Sequence, residues 1–348
     1  MRLVLTYFRA VSLYEQAKLI EKCFINHGHE VLVKPYISLF DVIQKLGNAY
    51  LWFVIANPTW LIDIAPVFIE AKQSTRNRAF VYATIEGIPY PHLARWHATK
   101  YIDFIANSYF TKECLEKANL RVIDVIHHAI DFEEVERAKK LAEKYQKKLR
   151  QDFKDRVIFV YVGRDDHRKQ LDRLMQAIDI LNEKAPNDFV LLLHTELRRQ
   201  ELFKRPNVYI VGDFGSRSHE EVLGLLGACD YLVFPSACEG FGLPVLETLA
   251  MGRPVVCCKM KPLIEFTNEK CAIYFEYDHI EYWKTTAEQY FVMHLYDPEE
   301  LANAMLRAID IRKNNKDLYM NMCIEAYNTA LNFDYKKVYK KFIEKCRW

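Results

Sequence analysis

A short stretch near residue 240 constrains the fold more than any other part of this sequence. Tyr231–Phe234 is an apolar, partly β-branched run, and Pro235 ends it because proline cannot donate a hydrogen bond to a sheet. Pro244 suits the first position of a helix, Gly252 suits its end, and Val255–Cys258 has the composition of a second buried strand. Strand, helix and strand in this order form a βαβ unit. We therefore expect the loop between them at the carboxyl edge of a parallel sheet.

The loop of this unit combines two glycines with two carboxylates. Gly240 and Gly242 flank Phe241, so the backbone can adopt conformations closed to other residues and a ligand can approach the main chain closely. The free N–H groups of the following helix favour an anion. Glu239 precedes the turn and Glu247 lies about one turn into the helix, so both carboxylates can reach the same cleft. Carboxylates accept hydrogen bonds from hydroxyl groups, which predicts a sugar or a ribose beside them.

The pattern Glu-x7-Glu, with Gly-Phe-Gly-Leu-Pro inside it, resembles the retaining glycosyltransferases of the GT-B fold, in the large family 4. The resemblance implies an α/β fold of two Rossmann-like domains that face each other across a cleft. It also implies that Glu239 lies at the transferred sugar as a catalytic residue and that Glu247 contacts the ribose of a nucleotide-sugar donor. The other donor-binding residues implied in this loop are Gly240, Phe241, Gly242 and Leu243. The alternative is that Glu247 only complements a helix dipole and Glu239 is a solvated loop residue.

A basic motif follows the predicted strand Val157–Val162. The segment Gly163–Lys169 reads G-R-D-D-H-R-K and leads into a helix. Two cations at a strand end, opposite the helix of the βαβ unit, would neutralise a nucleotide diphosphate. The spacing Gly-Arg-x4-Lys matches the family's element that holds the donor phosphates. The resemblance therefore implies a catalytic role for Arg164 and Lys169 and a donor-binding role for Gly163.

A later segment, Val208–Phe214, is predicted as a strand and its end. It resembles the family position whose backbone contacts the nucleotide base. The resemblance thus adds Asp213 and Phe214 to the predicted donor site.

Residues 1 to about 130 alternate strand and helix patterns, which predicts a doubly wound α/β domain. Three segments of this half are expected at strand ends that face a cleft: 7–10, 57–58 and 85–89. In many relatives the first of these loops is rich in glycine, whereas here it reads Y-F-R-A. Arg9 could meet an anion in place of the glycines. Together with Glu86 and His128 it forms the predicted acceptor side of the cleft.

The predicted domains are an N-terminal acceptor domain (1–150), a C-terminal donor domain (151–334) and a C-terminal helix that crosses back to the first domain (335–348). Residues 132–156 are strongly charged, with acidic residues early and basic residues late, which is typical of a solvated connecting helix. The final segment alternates aromatic residues with lysines from Tyr335 to Ile343. Packing on the first domain is the preferred interpretation, and a basic amphipathic contact with a membrane is the alternative.

Composition narrows the function further. A net charge of +2 over 348 residues gives no case for a nucleic-acid partner. Nine cysteines without a C-x-x-C pair favour a reducing compartment, and with no signal peptide and no run of about 18 apolar residues we expect a cytoplasmic protein. No Gly-x-Gly-x-x-Gly follows a predicted strand, and no Asp-x-Asp pair is present to hold a diphosphate through a metal. We therefore predict neither a cofactor nor a metal.

The function implied by these motifs is transfer of a sugar from a UDP- or GDP-linked donor to a hydroxyl acceptor, with retention and without a metal. Two alternatives stay open: a nucleotide-sugar epimerase of the same fold, and a catalytically silent protein that binds carbohydrate or nucleotide sugar. The sequence does not distinguish between donor bases, between donor sugars, or between a sugar, a lipid and a protein as the acceptor.

Overall fold

The structure is a computed structural model that describes residues 2–7, 10–35, 50–55, 78–95 and 102–346. Its strands are β1 (Arg2–Tyr7), β2 (Glu30–Pro35), β3 (Tyr50–Ile55), β4 (Arg78–Ala83), β5 (Gly87–Pro89), β6 (Phe104–Ala106), β7 (Val122–Val125), β8 (Val157–Val162), β9 (Phe189–His194), β10 (Val208–Ile210), β11 (Tyr231–Phe234), β12 (Val255–Cys258), β13 (Ala272–Phe275), β14 (His279–Lys284) and β15 (Gln289–Leu295). Its helices are α1 (Val11–Asn26), α2 (Pro91–Arg95), α3 (Tyr109–Lys117), α4 (Phe132–Phe153), α5 (Leu171–Lys184), α6 (His219–Ala228), α7 (Leu243–Ala250), α8 (Pro298–Asn314), α9 (Lys316–Ala330), α10 (Tyr335–Val338) and α11 (Lys340–Lys345). None of these helices is long and apolar enough to cross a membrane.

Two six-stranded parallel sheets form the framework of the described residues. The first has the order β2-β1-β3-β4-β6-β7 and the second has the order β10-β9-β8-β11-β12-β13. The central strands of the second sheet, such as Val157–Val162 and Phe189–His194, are buried along their whole length. Strands that are buried on both faces are typical of a parallel sheet covered by helices on each side. Two separate sheets of this kind agree with the predicted pair of Rossmann-like units.

A third, antiparallel sheet joins the two halves of the chain. Strands β14 and β15 form a hairpin from the second half, and β15 pairs with β5 from the first half. A Cβ added at Gly87 would lie 1.8 Å from the carbonyl oxygen of Tyr290, so only glycine allows the two strands to approach this closely. No strand or helix was predicted from the sequence for residues 279–295. This bridging sheet is therefore a finding of the structure alone.

Each parallel sheet has its own hydrophobic core. Val135, Ala138 and Ala142 of α4 pack in the core of the second sheet, whereas Tyr339 and Phe342 at the end of the chain pack in the core of the first. The division at residue 150 that the sequence analysis proposed therefore falls inside a helix whose buried face belongs to the second core. The buried aromatic residues of the final segment are not available to a membrane in this conformation.

The chain passes between the two halves twice, and the two passages lie side by side. The Ile130 backbone N–H donates to the Phe333 carbonyl at 2.9 Å, and the Tyr335 N–H donates back to the Ile130 carbonyl at 3.0 Å. Gln16 of α1 holds the first passage, because its side chain accepts from the Ala129 N–H at 3.0 Å and donates to the Ala129 carbonyl at 3.2 Å. These contacts hold the two passages against each other and the first passage against α1.

A buried carboxylate joins three elements of the second unit. Asp230, 1% exposed, lies directly before β11. Arg150 of α4 donates to its two oxygens at 2.5 and 2.6 Å, and Arg312 of α8 donates to Oδ1 at 2.9 Å. The Ile158 N–H of β8 completes the arrangement at 2.8 Å from Oδ2. Removal of this carboxylate would leave Arg150 Nη2, Arg312 Nε and the buried Ile158 N–H without this acceptor.

We expect Asp230→Ala to lower the free energy of unfolding by about 3 kcal/mol or more, because it breaks a buried ion-pair network from one side. Asp179 provides the matched control, since it pairs with Arg205 at 2.8 Å and its side chain is 49% exposed. Asp179→Ala should change the free energy of unfolding by less than about 1 kcal/mol. Urea unfolding of both variants measures the difference, and equal losses would contradict this account.

Candidate active site

The carboxyl edge of the second sheet carries the residues predicted to bind the donor. Four strands of the sheet are followed there by loops: 163–170 after β8, 195–199 after β9, 211–218 after β10 and 235–242 after β11. The last of these loops contacts the first half of the chain, because Ser108 Oγ, at the start of α3, donates to the Gly240 carbonyl at 2.8 Å. The interface between the two halves therefore lies along this edge.

Five side chains at the interface form a group that we call the cleft cluster: Glu86, Arg168, Lys169, Ser236 and Glu239. Lys169 Nζ donates to Glu239 Oε1, Arg168 Nη1 lies 3.1 Å from the same oxygen, and Ser236 Oγ donates to it at 2.6 Å. Glu86 comes from the first half, with Oε1 at 3.6 Å from Arg168 Nη2. Lys169 and Glu239 are each only 6% exposed. The structure thus brings together two residues that lie in separate sequence motifs.

The two carboxylates of the cleft cluster have pKa shifts in opposite directions. Burial alone would raise the pKa of Glu239, but the adjacent Lys169 and Arg168 hold this pKa below its ordinary value. For Glu86 the effect of burial prevails, and its pKa is raised although Arg168 partly offsets the shift. Glu239 is therefore the ionised carboxylate of the cluster, and Glu86 accepts a proton more readily.

The turn that ends at Gln170 is held in place by hydrogen bonds to backbone groups, some of which come from side chains. The Asp166 side chain accepts from the Arg168 N–H at 3.2 Å, and Gln170 adopts left-handed angles of φ 53° and ψ 39° at the start of α5. Strained backbone in non-glycine residues often occurs at functional sites. The Arg168 carbonyl accepts from the Ala237 N–H at 2.9 Å. The Arg168 side chain donates through Nη1 to the Cys238 carbonyl at 3.0 Å. The loops after β8 and β11 are therefore joined at the cleft cluster.

The two glycines of the loop before α7 serve different purposes. Gly242 has φ 100° and is the residue before α7, which begins at Leu243 with Pro244 in its first turn. Gly240 is needed for close packing instead, since an added Cβ would lie 2.8 Å from the Ile85 carbonyl oxygen of the first half. The predicted freedom of the backbone is thus used at Gly242, and at Gly240 the missing side chain lets the two halves approach.

Phe241 and His128, predicted on opposite sides of the cleft, contact each other. Phe241 stacks on Phe266 with ring centroids 4.8 Å apart, and its ring lies 5.1 Å from that of His128. His128 is buried, with Nδ1 at 2.9 Å from the Tyr82 hydroxyl and Nε2 at 3.0 Å from Thr84 Oγ1. Burial lowers the pKa of His128 to about 3. His128 is consequently neutral near pH 7 and packs behind Phe241.

A surface pocket of about 360 Å³ lies further along the same sheet edge. Its lining residues are Thr195, Glu196, Leu197, Gly212, Asp213 and Phe214. Arg164, the second predicted cation, donates to Glu196 Oε1 at 3.1 Å, and its side chain is 64% exposed. The N–H of Gly163 donates to the His194 carbonyl at 3.2 Å, which joins the loop to β9. The two predicted cations therefore lie in different surroundings: Lys169 in the cleft cluster and Arg164 beside the pocket.

Glu247, the second glutamate of the motif, pairs with a histidine that the sequence analysis did not single out. His219 Nε2 lies 3.0 Å from Glu247 Oε1, and His219 Nδ1 lies 3.1 Å from Glu134 Oε2. Burial by itself lowers the pKa of His219, but the two carboxylates raise it from its ordinary 6.5 to about 10. The stabilisation from this charge is therefore present in full below pH 6.5 and is lost as the pH rises towards 10.

Not every predicted site residue can be placed, and some residues of the site were missed. Arg9 lies outside the described residues. Arg168 and Ser236 were not predicted, although Arg168 directly precedes Lys169 and Ser236 follows the end of β11. These two positions could have been found from their places at the strand ends. His219 has no such local signal, because its partners lie far away in the sequence.

The described ranges contain no group of three or more His, Cys, Asp or Glu side chains placed to hold a metal ion. The carboxylates of the site face other side chains instead. Glu239 faces Lys169 and Arg168, and Glu247 faces His219. Lys169, Arg168 and His219 are thus the cationic partners of these two carboxylates among the described residues.

Known proteins resemble both the sequence and the fold. Residues 156–310 match the family model described as Glycosyl transferases group 1. An uncharacterised glycosyltransferase of Sulfolobus islandicus rod-shaped virus 1 is 29% identical over 291 residues, which cover 80% of this chain and 82% of that protein. A glycosyltransferase from Rickettsia africae superimposes with a TM-score of 0.70 at 16% identity and covers 99% of this chain and 97% of its own. HepE from Anabaena, crystallised with UDP and glucose, has a TM-score of 0.69 at 16% identity and covers 99% of both chains.

The structural matches confirm the predicted GT-B fold. The family match and the viral relative support a glycosyltransferase. The matched residues include both motifs from which the site was predicted, at 163–169 and at 239–247.

Proposed function

We propose that this protein transfers a sugar from a nucleoside diphosphate sugar to a hydroxyl acceptor, with retention at the anomeric carbon and without an obligatory metal ion. The observation that carries the proposal is the cleft cluster. It places the cations Arg168 and Lys169 against the carboxylate of Glu239 at the interface between the two halves. The family match and the UDP complex of HepE support a nucleotide sugar as the donor.

The loops at the sheet edge suit the separate parts of such a donor. The pocket beside Asp213 and Phe214 is the proposed place of the base, and Glu247 is the proposed partner of the ribose hydroxyls. Arg168 and Lys169, with the N-terminal end of α7, would hold the diphosphate. Arg164 lies beside the pocket and adds positive charge on that side.

The proposed reaction breaks the bond between the anomeric carbon and the diphosphate oxygen, and a bond to the acceptor oxygen forms on the same face. The acceptor proton passes to the departing diphosphate, which gains negative charge as it leaves. Lys169 and Arg168 would stabilise this charge, an electrostatic effect that often dominates catalysis. Because these two cations belong to the protein, the proposal needs no metal. Glu239 is proposed to contact the transferred sugar, and Glu86 lies on the acceptor side.

Incubation with a panel of UDP- and GDP-sugars, with added hydroxyl acceptors and with EDTA, tests this function. We expect release of free UDP or GDP from one donor and a product whose anomeric configuration, read by NMR, matches that of the donor. Turnover that appears only after a divalent metal is added would contradict metal independence. A sugar altered without any acceptor would identify an epimerase, and binding without release of nucleotide would identify a silent binding protein.

Replacement of the glutamates and replacement of the cations of the site should change the kinetic parameters in different ways. Glu239→Gln should lower kcat by about a hundredfold with a smaller change in the donor KM, because its contact changes during the reaction. Glu247→Gln should chiefly raise the donor KM, by about tenfold, since the ribose contact is the same in the ground and transition states. Lys169→Ala and Arg168→Ala should impair both parameters.

Glu201→Gln is the matched control for these kinetics, because the Glu201 side chain is 83% exposed and pairs only with its neighbour Lys204 among the described residues. It should keep wild-type kinetics. If Glu239→Gln and Glu247→Gln also kept wild-type kinetics while folding normally, the assignment of the two glutamates would be wrong.

A further inference from the structure

His219 is placed where an ordinary helix would not carry a positive charge. It is the first residue of α6, and Ser218 and Glu221 form a capping box around it. A helix N-terminus disfavours a cation, and burial disfavours any charge. Neither the helix N-terminus nor burial therefore stabilises an imidazolium at this position. Residues that break a local rule in this way are concentrated at functional sites.

Two carboxylates beside the ring nevertheless favour the charged form. Both ring nitrogens lie within about 3 Å of a carboxylate oxygen, with Glu247 at 3.0 Å on one side and Glu134 at 3.1 Å on the other. A neutral imidazole carries one N–H and one lone pair, so one carboxylate would face the lone pair. The imidazolium lets Nε2 donate to Glu247 and places a positive charge 3.1 Å from Glu134 Oε2.

The charges around this group come from four helices. Glu134 and Arg137 lie on α4, and Glu247 lies on α7. Lys18 of α1 contributes positive charge near Glu134. Glu220, the neighbour of His219 on α6, pairs with Arg137 at 2.9 Å. The ring therefore lies between two carboxylates, and the nearby cations Lys18 and Arg137 offset the charge of Glu134 only in part.

We propose that His219 is a positioning residue for the donor: its imidazolium donates to the Glu247 carboxylate and keeps it oriented towards the ribose hydroxyls, and Glu134 holds the imidazolium in place. This inference rests on the proposed function, because the ribose contact of Glu247 belongs to it. His219 engages Oε1 of Glu247. The carboxylate can then use its other oxygen for a hydroxyl group.

The test compares binding of UDP or GDP with that of their 2′-deoxy and 3′-deoxy forms, by calorimetry on the full chain. The nucleotide is the one whose sugar is turned over in the donor panel. Wild-type protein should lose about tenfold in affinity for at least one deoxy form, the size of one hydrogen bond to a charged group. His219→Ala should bind the ribose and deoxy forms equally within about threefold, because Glu247 is no longer held. Glu201→Gln is the matched control, because its side chain is 83% exposed and pairs with Lys204 rather than with the charges around His219, and it should keep the wild-type discrimination.

A second variant gives a readout that a purely structural role would not move. Because the pKa of His219 is raised to about 10 by two carboxylates, wild-type discrimination should persist from pH 7 to pH 9. Glu134→Gln removes one of these carboxylates and lowers the pKa of His219. Its discrimination should therefore fall over the same pH range as the imidazolium loses its proton. This series also decides the question if His219→Ala does not fold.

The outcomes separate the inference from the function on which it rests. Discrimination that is unchanged in His219→Ala, or pH-independent in Glu134→Gln, overturns the role of His219 and leaves the proposed function intact. Equal binding of ribose and deoxy forms by wild-type protein overturns the ribose contact and the inference with it. A wild-type protein that binds no nucleoside diphosphate and turns over no donor overturns the proposed function itself.

Discussion

Lys169 and Arg168 share one buried carboxylate oxygen of Glu239 at the point where the two halves of the chain meet. Charges removed from water are costly, and a buried pair is tolerated only when further hydrogen bonds satisfy its atoms. Here Ser236 donates to the same oxygen, and the Cys238 carbonyl accepts from Arg168. The loops after β8 and β11 are therefore fixed relative to each other, and a diphosphate would meet preorganised cations without first ordering them.

Two links between the halves position the residues that the first half contributes to the cleft. The paired passages at Ile130 and Tyr335 form one link, and the bridging sheet of β5 with β15 forms the other. Glu86 lies immediately before β5, and its carbonyl accepts from the Val292 N–H of β15 at 3.3 Å. The bridging sheet thus holds Glu86 against Arg168. This carboxyl group of the cleft cluster is therefore placed by the second half of the chain.

Local signals were enough to predict the framework but not the links between its parts. The strand, loop and helix around Glu239 follow from Pro235, Gly242 and Pro244, whose backbone preferences act within a few residues. The hairpin β14–β15 was missed because its partner β5 lies far away in the sequence, and 85–89 was expected only as a strand end. Which of Arg164 and Arg168 contacts Glu239 depends on the turn geometry at Gln170, and the contacts of His219 depend on Glu134 and Glu247. Contacts of this kind are decided by packing between elements, which no local pattern records.

Binding of the donor diphosphate by the cations of the cleft cluster can be measured as the ratio of two affinities. Calorimetry gives the Kd of the nucleoside diphosphate and of the corresponding monophosphate for wild-type protein and for Lys169→Ala. Wild-type protein should prefer the diphosphate, and Lys169→Ala should lose most of this preference, while its affinity for the monophosphate changes little. An equal preference in both proteins would show that the cations do not bind the diphosphate and that the buried pair of Lys169 and Glu239 only supports the fold.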